Sequence, residues 1–356
     1  LYMKKLKIGI IGTGNIAEVH MEAYLKNSNI ELYALCDINP ERLREMSEKF
    51  QVSRCFTDYN QLLMLQELDA VSVCTWNSAH APCAIAALKA GKHVLCEKPM
   101  ATSASEAEEM RNAARESGKL LMIGFVRRYG NDCKLLQEFI QSDFFGDIYY
   151  AKATYLRRYG NPGGWFSNRS YSAGGPLIDL GVHVIDLVRY LNGKPKPVSV
   201  YGATFDKIKD RDGIKDTKAY IAASDKYMEK VFDVEDLATA MIRFDNGLVL
   251  SVEASFSLNL KSDKGEIELF GDKAGARLSP QLELYNVING HMMNIQPAQA
   301  EICSFGDMFS YEINHFVDCI QNGTPCKSPA EDGVIMMRIL DAIYESAYTG
   351  HEVVLD

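Results

Sequence analysis

Lys7-Ile8-Gly9-Ile10-Ile11-Gly12-Thr13-Gly14-Asn15-Ile16-Ala17 decides how this chain is read. A short run rich in β-branched residues leads directly into G-x-G-x-x-A, and a helical stretch continues to about Lys26. Gly12 allows a sharp turn, Gly14 lets the backbone approach a pyrophosphate, and Ala17 is small enough for the helix to pack closely on the strand. Asn15 and Ile16 open that helix, whose free N–H groups and partial positive charge suit phosphates. A second strand, 30–36, ends in Asp37, about 20 residues beyond the glycine turn, where an acid accepts hydrogen bonds from both adenosine ribose hydroxyls. A 2′-phosphate would meet a carboxylate there, and Ile38, Asn39 and Pro40 supply no cation, although Arg42 stands close by. The stretch predicts a dinucleotide site that takes NAD in preference to NADP.

Helical patterns at 40–50, 59–65, 79–90 and 103–117 alternate with strands at 54–56, 70–74, 93–96 and 120–123. Ser103 and Glu106 form an S-x-x-E capping box. Nearly continuous apolar strands between helices mean a doubly wound parallel sheet covered on both faces, an α/β Rossmann domain over residues 1–125. Residues 126–356 have a different rhythm, with strand-like runs at 146–157, 197–205, 238–244, 248–256, 265–270 and 276–279. These predict an α+β domain built on a mixed, mostly antiparallel open sheet with helices on one face, serving substrate binding and oligomerisation. One long helix, 176–191, interrupts the strands, and two more, 311–321 and 331–348, are expected to pack back on the first domain. The charged stretch 207–218 reads as a solvated loop.

Hydrophobic content of 47% and charged content of 24% are those of a soluble globular protein, and 356 residues suit two domains. The net charge of −9 argues against a nucleic-acid partner, which needs a basic stripe. No apolar run approaches the ~20 residues that span a bilayer, and no signal peptide precedes the first strand. The expected location is the cytoplasm. The nine cysteines include no C-x-x-C and no zinc-ligand spacing. Cys36, Cys74 and Cys96 fall at the ends of predicted buried strands and read as reduced core residues, so no metal is expected.

Ligands of a doubly wound sheet bind outside the carboxyl ends of its strands. The fourth strand closes with Thr75-Trp76-Asn77-Ser78-Ala79-His80, and the fifth with Glu97-Lys98-Pro99. Thr75, Asn77, His80, Glu97 and Lys98 are therefore candidates for the cofactor, although helix capping accounts equally well for Asn77 and His80. A third stretch is Gly174-Gly175-Pro176-Leu177-Ile178-Asp179-Leu180-Gly181-Val182-His183-Val184-Ile185-Asp186. On a helix, Asp179, His183 and Asp186 share one face while Leu177, Leu180, Val184 and Leu191 share another.

Together, G-T-G-N-I-A, Glu97-Lys98-Pro99 and the 174–186 stretch resemble the Gfo/Idh/MocA oxidoreductases, the group of glucose-fructose oxidoreductase and inositol dehydrogenase. The resemblance covers essentially the whole length, including Phe316-Val317-Asp318, Ser328-Pro329 and Asp341-Ala342-Ile343-Tyr344-Glu345-Ser346. One departure is Trp76, where the family usually places proline. The resemblance implies catalysis by Lys98, Asp179 and His183 on a sugar, cyclitol or related polyol. Imidazole, with an ordinary pKa of about 6.5, suits a general base; an ammonium suits a developing alkoxide. Asp186 is a spacing-based partner for His183. Substrate contacts are expected from Arg127, Arg128, Tyr155, Arg157, Trp165, Asn168, Arg169 and Tyr171, with Trp165 and Arg169 foremost. Three other readings stay open: a glycoside hydrolase using NAD transiently, an NADP-dependent keto-sugar reductase, and a non-catalytic NAD sensor. A sheet with one uncovered face favours a homodimer or homotetramer.

Overall fold

The computed structural model describes residues 5–208, 214, 231–279, 281–298 and 303–355, so most of the charged stretch 207–218 lies outside the described residues. The chain forms two compact units: Leu1–Tyr129 with Ser304–Met337, and Gly130–Cys303 with Arg338–Asp356.

The first unit alternates β1 (Leu6–Ile11), α1 (Asn15–Leu25), β2 (Ile30–Cys36), α2 (Pro40–Phe50), β3 (Cys55–Phe56), α3 (Tyr59–Leu63), β4 (Ala70–Val73), α4 (His80–Lys89), β5 (His93–Glu97), α5 (Ala104–Ser117) and β6 (Leu121–Gly124). Its six strands are all parallel, in the order β3-β2-β1-β4-β5-β6. Ile8, Ile10, Leu35, Val71, Val73 and Leu95 are fully buried, which is why the strands read as unbroken apolar runs. Asn39 caps α2 by accepting from Glu41 N and Arg42 N, with Pro40 in the first turn. Ser103 caps α5 by accepting from Glu106 N at 3.3 Å. The capping box is only half closed. Glu106 reaches the amide and hydroxyl of Thr102, at 3.0 and 2.5 Å, in place of the Ser103 amide.

The second unit contains α6 (Asn131–Gln141), β7 (Ile148–Leu156), α7 (Arg169–Ser172), α8 (Val182–Leu191), β8 (Pro197–Phe205), β9 (Leu237–Phe244), β10 (Val249–Ser255), β11 (Lys264–Gly271), β12 (Ala274–Leu278), β13 (Glu283–Ile288) and β14 (His291–Ile295). Helix α9 (Phe305–Asn322) belongs to the first unit, α10 (Ala330–Thr349) passes from the first into the second after Met337, and β15 (Val353–Val354) belongs to the second. The second sheet has the order β14-β13-β12-β11-β7-β10-β9-β8-β15, antiparallel throughout except for β7–β10. Helix α8 packs on β7. On the sheet, Tyr201 and Met241 are cross-strand partners and are 54% and 50% exposed. Among the described residues, no helix is long and apolar enough to cross a membrane.

Several elements depart from the sequence reading, the short α7 and β15 among them. Helix α6 and the hairpin β13–β14 were not anticipated, and α9 begins at Phe305, ahead of the expected 311. The single helix expected over 176–191 opens instead with a π turn, Leu177–Gly181, before α8 takes over.

Candidate active site

The glycine turn is built by steric exclusion at one position and by open space at another. Gly12 has φ +85°, donates its N–H to Cys36 O at 2.8 Å, and a Cβ there would lie 2.7 Å from Cys74 O. Nothing comes within 4 Å of the place a Gly14 Cβ would occupy. Gly14 and Asn15 are exposed at the start of α1, Ile16 is half-buried, and Ala17 is fully buried. Asp37 buckles β2 to this turn: its Oδ2 accepts from Thr13 N at 2.6 Å and Thr13 Oγ1 at 2.9 Å, and its Oδ1 from Asn39 N at 2.8 Å. Arg42 is committed elsewhere. Its Nε donates to Thr13 O at 2.9 Å, and its two Nη atoms pair with Glu18 at 3.1 Å and Glu45 at 3.2 Å. The open cradle at Gly14, the exposed amide end of α1 and the half-buried Asp37 carboxylate fit a dinucleotide without a 2′-phosphate.

At the strand exits, two expected cofactor contacts turn inward. His80 is 1% exposed, with Nδ1 2.7 Å from Pro99 O and Nε2 3.2 Å from Thr75 O. Burial lowers its pKa against the pull of the Pro99 and Thr75 carbonyls. His80 thus ties the exits of β4 and β5 together and is not exposed to a cofactor. Glu97 is 5% exposed; its Oε1 meets His20 Nε2 at 2.8 Å, and its Oε2 accepts from Lys98 N at 3.1 Å. That carboxylate faces the interior, behind Lys98, whose own side chain is half-buried. Thr75 is half-buried, with Oγ1 donating to Trp76 O at 3.1 Å, and Asn77 is buried. Trp76 has φ −69° and ψ 159°, the backbone that proline would adopt, so the departure from the family pattern changes the side chain and leaves the turn intact.

Along the 174–186 stretch and onward to Arg189, every residue is buried except Asp179 and His183. A π turn often marks a functional site, and here it carries Asp179 into α8, which carries His183. Asp186, 1% exposed, is a core residue. The two glycines before this segment are set by close approach: a Cβ on Gly174 would strike the Tyr344 hydroxyl, and one on Gly175 would strike Glu235 O. Tyr155 is half-buried and packs against the cluster of Leu180, Ala254 and Phe256, with the Arg157 guanidinium 5.6 Å from its ring centre. Trp165 stacks on Phe166 at 3.8 Å. Arg169, an exposed side chain, donates Nε to Asp233 O at 3.3 Å and approaches Glu235 at 3.8 Å. Asn168 caps α7, Tyr171 is half-buried, and Arg127 is half-buried in the first unit. Arg128 is removed from the substrate set: it is 2% exposed and ion-paired with Asp332 at 2.7 Å.

The residues 6–125 match the family model described as "Oxidoreductase family, NAD-binding Rossmann fold", and 137–355 match "Oxidoreductase family, C-terminal alpha/beta domain". The chain belongs to the Gfo/Idh/MocA oxidoreductase family. Among its Gfo/Idh/MocA relatives, D-glucoside 3-dehydrogenase of Escherichia coli is 35% identical over 98% of this chain and 97% of its own. Myo-inositol 2-dehydrogenase of Thermotoga maritima is 26% identical over 92% of each chain. A levoglucosan dehydrogenase solved in complex with NADH superposes with a TM-score of 0.86 at 25% identity, covering 99% of this chain and 100% of that one. This protein is accordingly an oxidoreductase with an NAD-binding Rossmann domain.

Three buried polar residues that sequence reading passes over contact these candidate residues or their neighbours within their own units. His20, buried in α1, meets Glu97, and Glu312 from α9 brings a carboxylate oxygen within 4.8 Å of both. Neither Glu312 oxygen has a hydrogen-bond partner, and burial together with the Glu97 charge holds its carboxyl well above the usual range. In the second unit, Glu235 sits beneath the Gly175 amide. His315, Cys319 and Cys326 also cluster within 4.8 Å, but the Lys327 amide donates to His315 Nε2 at 3.0 Å and takes the lone pair a metal would need. All nine cysteines are free thiols, and burial lifts Cys36 to about 12.

Proposed function

We propose that this protein is an NAD-dependent dehydrogenase or reductase acting on a CH–OH group of a sugar, cyclitol or related polyol. The observation that carries this reading is that Asp179 and His183 alone are only half-buried along an otherwise fully buried helical segment. Two polar groups one turn apart at the only accessible positions suit a substrate hydroxyl. The names of the relatives, a glucoside dehydrogenase and an inositol dehydrogenase, support the carbohydrate class.

NAD, when bound, supplies the hydride acceptor. Gly12, Gly14, Asn15 and Ile16 would hold its pyrophosphate, and Asp37 its adenosine ribose. Thr75, Asn77 and Lys98 are assigned to the strand-exit end, with His80 and Glu97 acting behind them as anchors. His183 removes the hydroxyl proton, Asp179 holds a neighbouring hydroxyl, and the Lys98 ammonium steadies the developing alkoxide. Arg127, Tyr155, Trp165 and Arg169 are the proposed sugar contacts. Residues 1–125 would serve the cofactor and 126–356 the substrate and self-association. The exposed Tyr201–Met241 pair supports a homodimer or homotetramer; the net charge of −9 supports the absence of a nucleic-acid partner, and a cytoplasmic location with no membrane partner belongs to the same proposal.

The test is a screen at 340 nm with NAD and, separately, NADP against inositols, aldoses, keto-sugars, alkyl glucosides and nitrophenyl glycosides. NADH formation with one polyol class is the expected result. Nitrophenol release without net NADH would replace this reading with transient-redox hydrolysis.

A further inference from the structure

We propose that Glu235 is a positioning residue for the helical segment that carries Asp179 and His183. The inference rests on the role given to those two residues above. Helix starts leave backbone N–H groups without intrahelical partners, normally met by a side chain at the cap. Gly174-Gly175-Pro176 offers no such side chain, and the π turn has no side-chain cap of its own. Glu235, 60 residues further along the chain, supplies it. Both carboxylate oxygens lie 3.0 Å from Gly175 N, and Oε1 is 3.2 Å from Leu177 N. The Tyr344 hydroxyl donates to the same oxygen at 2.9 Å, and Arg169 stands 3.8 Å from Oε2.

This carboxylate is 4% exposed, and a charge in that position must be met by donors or it is costly. Burial lifts its pKa, while the Tyr344 hydroxyl and the Gly175 and Leu177 amides hold it back. A negative group at a helix start is also favoured by the helix dipole. The fit leaves no slack: the glycines admit no Cβ on the side of Tyr344 and Glu235. The segment that follows is therefore fixed in rotation and height, two and six residues before Asp179 and His183 respectively when counted from Leu177. Small displacements of a reacting group are expensive, and a shift of about 1 Å costs on the order of 100-fold in rate.

The experiment compares Glu235→Gln, Tyr344→Phe and His183→Ala in the full chain. It uses saturating NAD with methyl glucoside and myo-inositol as probes, and also records the NAD dissociation constant and the melting temperature. Glu235→Gln keeps the volume but turns an amide N–H toward the Gly175 amide. Its expected effect is a kcat lower by ~10–100-fold, with the NAD dissociation constant within about twofold of wild type. Tyr344→Phe leaves the carboxylate in place with one donor fewer, and kcat is expected to fall by a factor of roughly 3–10. A folded Glu235→Gln protein with wild-type kcat, beside an inactive His183→Ala, overturns the positioning role alone. An active His183→Ala overturns the reading of the site and this inference with it. If Glu235→Gln does not fold, Tyr344→Phe decides, and an unchanged kcat there overturns the proposal.

Discussion

His20 Nε2 lies 2.8 Å from Glu97 Oε1, joining the helix that follows the glycine turn to the strand exit that presents Lys98. Both side chains are buried, so neither charge is screened by water. Burial opposes charge on His20, yet Cys74 and Glu97 beside it carry its pKa up to about 10. Glu97 stays below its ordinary value despite burial because His20 faces it. Removing one partner of a buried pair typically costs about 3–5 kcal/mol, and His20→Leu is expected to lose that much stability in urea unfolding.

The pair also dictates a pH dependence. The His20 contribution is complete below the unfolded imidazole value of about 6.5 and is lost as pH rises toward about 10. The Glu97 contribution is present above the ordinary carboxyl value and is lost as pH falls through its lower folded value. Urea midpoints should therefore decline between pH 7 and pH 9.5 in the wild type and decline less in His20→Leu. Parallel declines would show that His20 is not charged in the folded protein.

Glu312 works in the opposite direction. Its buried carboxyl keeps its proton where the unfolded chain releases it, so this group costs stability as pH rises above the ordinary carboxyl value. Glu312→Gln removes that cost. Its melting temperature should exceed that of the wild type by a margin that widens from pH 5 to pH 8, at about 2–4 °C for each kcal/mol. A constant margin would mean the carboxyl does not titrate anomalously.

His183→Ala is expected to bind NAD as the wild type does while losing ~100-fold or more in turnover. Fluorescence titration with NADH and initial rates at saturating substrate separate the two quantities. Full turnover in that variant would remove His183 from the chemistry.

Asp37→Ala should weaken NAD binding by ~10–100-fold, since hydrogen bonds to a charged acceptor are worth about 1.5–3 kcal/mol. NADP should gain little, because Arg42 remains bound to Thr13 O, Glu18 and Glu45. Tight NADP binding by this single variant would show that Arg42 is freer than its three contacts imply.

Gly174→Ala forces a methyl group against the Tyr344 hydroxyl and is expected to cost about 1–3 kcal/mol as overpacking. Because the nearest atom is that hydroxyl, with Tyr344 Cζ and Ile178 Cγ1 further off at 2.8 Å, adding Tyr344→Phe should recover part of that loss. Strictly additive melting shifts in the double variant would place the strain elsewhere.

The residues that announce themselves in sequence are those whose causes are local. The glycine turn is legible because Gly12 must take a positive φ, and strand β8 because its buried positions recur along a short apolar run. The hairpin β13–β14 carries a local signal in Asn289-Gly290, both at positive φ, between Val287-Ile288 and His291-Met292. It was masked by strands that expose Val287, Ile288 and Met292, leaving no apolar alternation to follow. Asp179, His183 and Asp186 are legible as one helical stripe, and the packing leaves the first two half-buried while burying Asp186 in the core. His20, Glu235 and Glu312 could not be found this way. Their partners stand 77 and 60 residues off for His20 and Glu235, and no short-range pattern encodes such a meeting.

Each unit is discontinuous in the chain, and this has a consequence during synthesis. The six strands of the first sheet are complete by Gly124, but α9, whose Phe309 ring lies 5.3 Å from that of His20, begins at Phe305. At 5–20 residues per second the ribosome needs on the order of ten to forty seconds to bridge that gap. Throughout it, the buried pair of His20 and Glu97 lacks its cover, and the nascent sheet presents an apolar flank to whatever is nearby. The part of the cofactor unit that is made last is thus also the part that covers this buried pair.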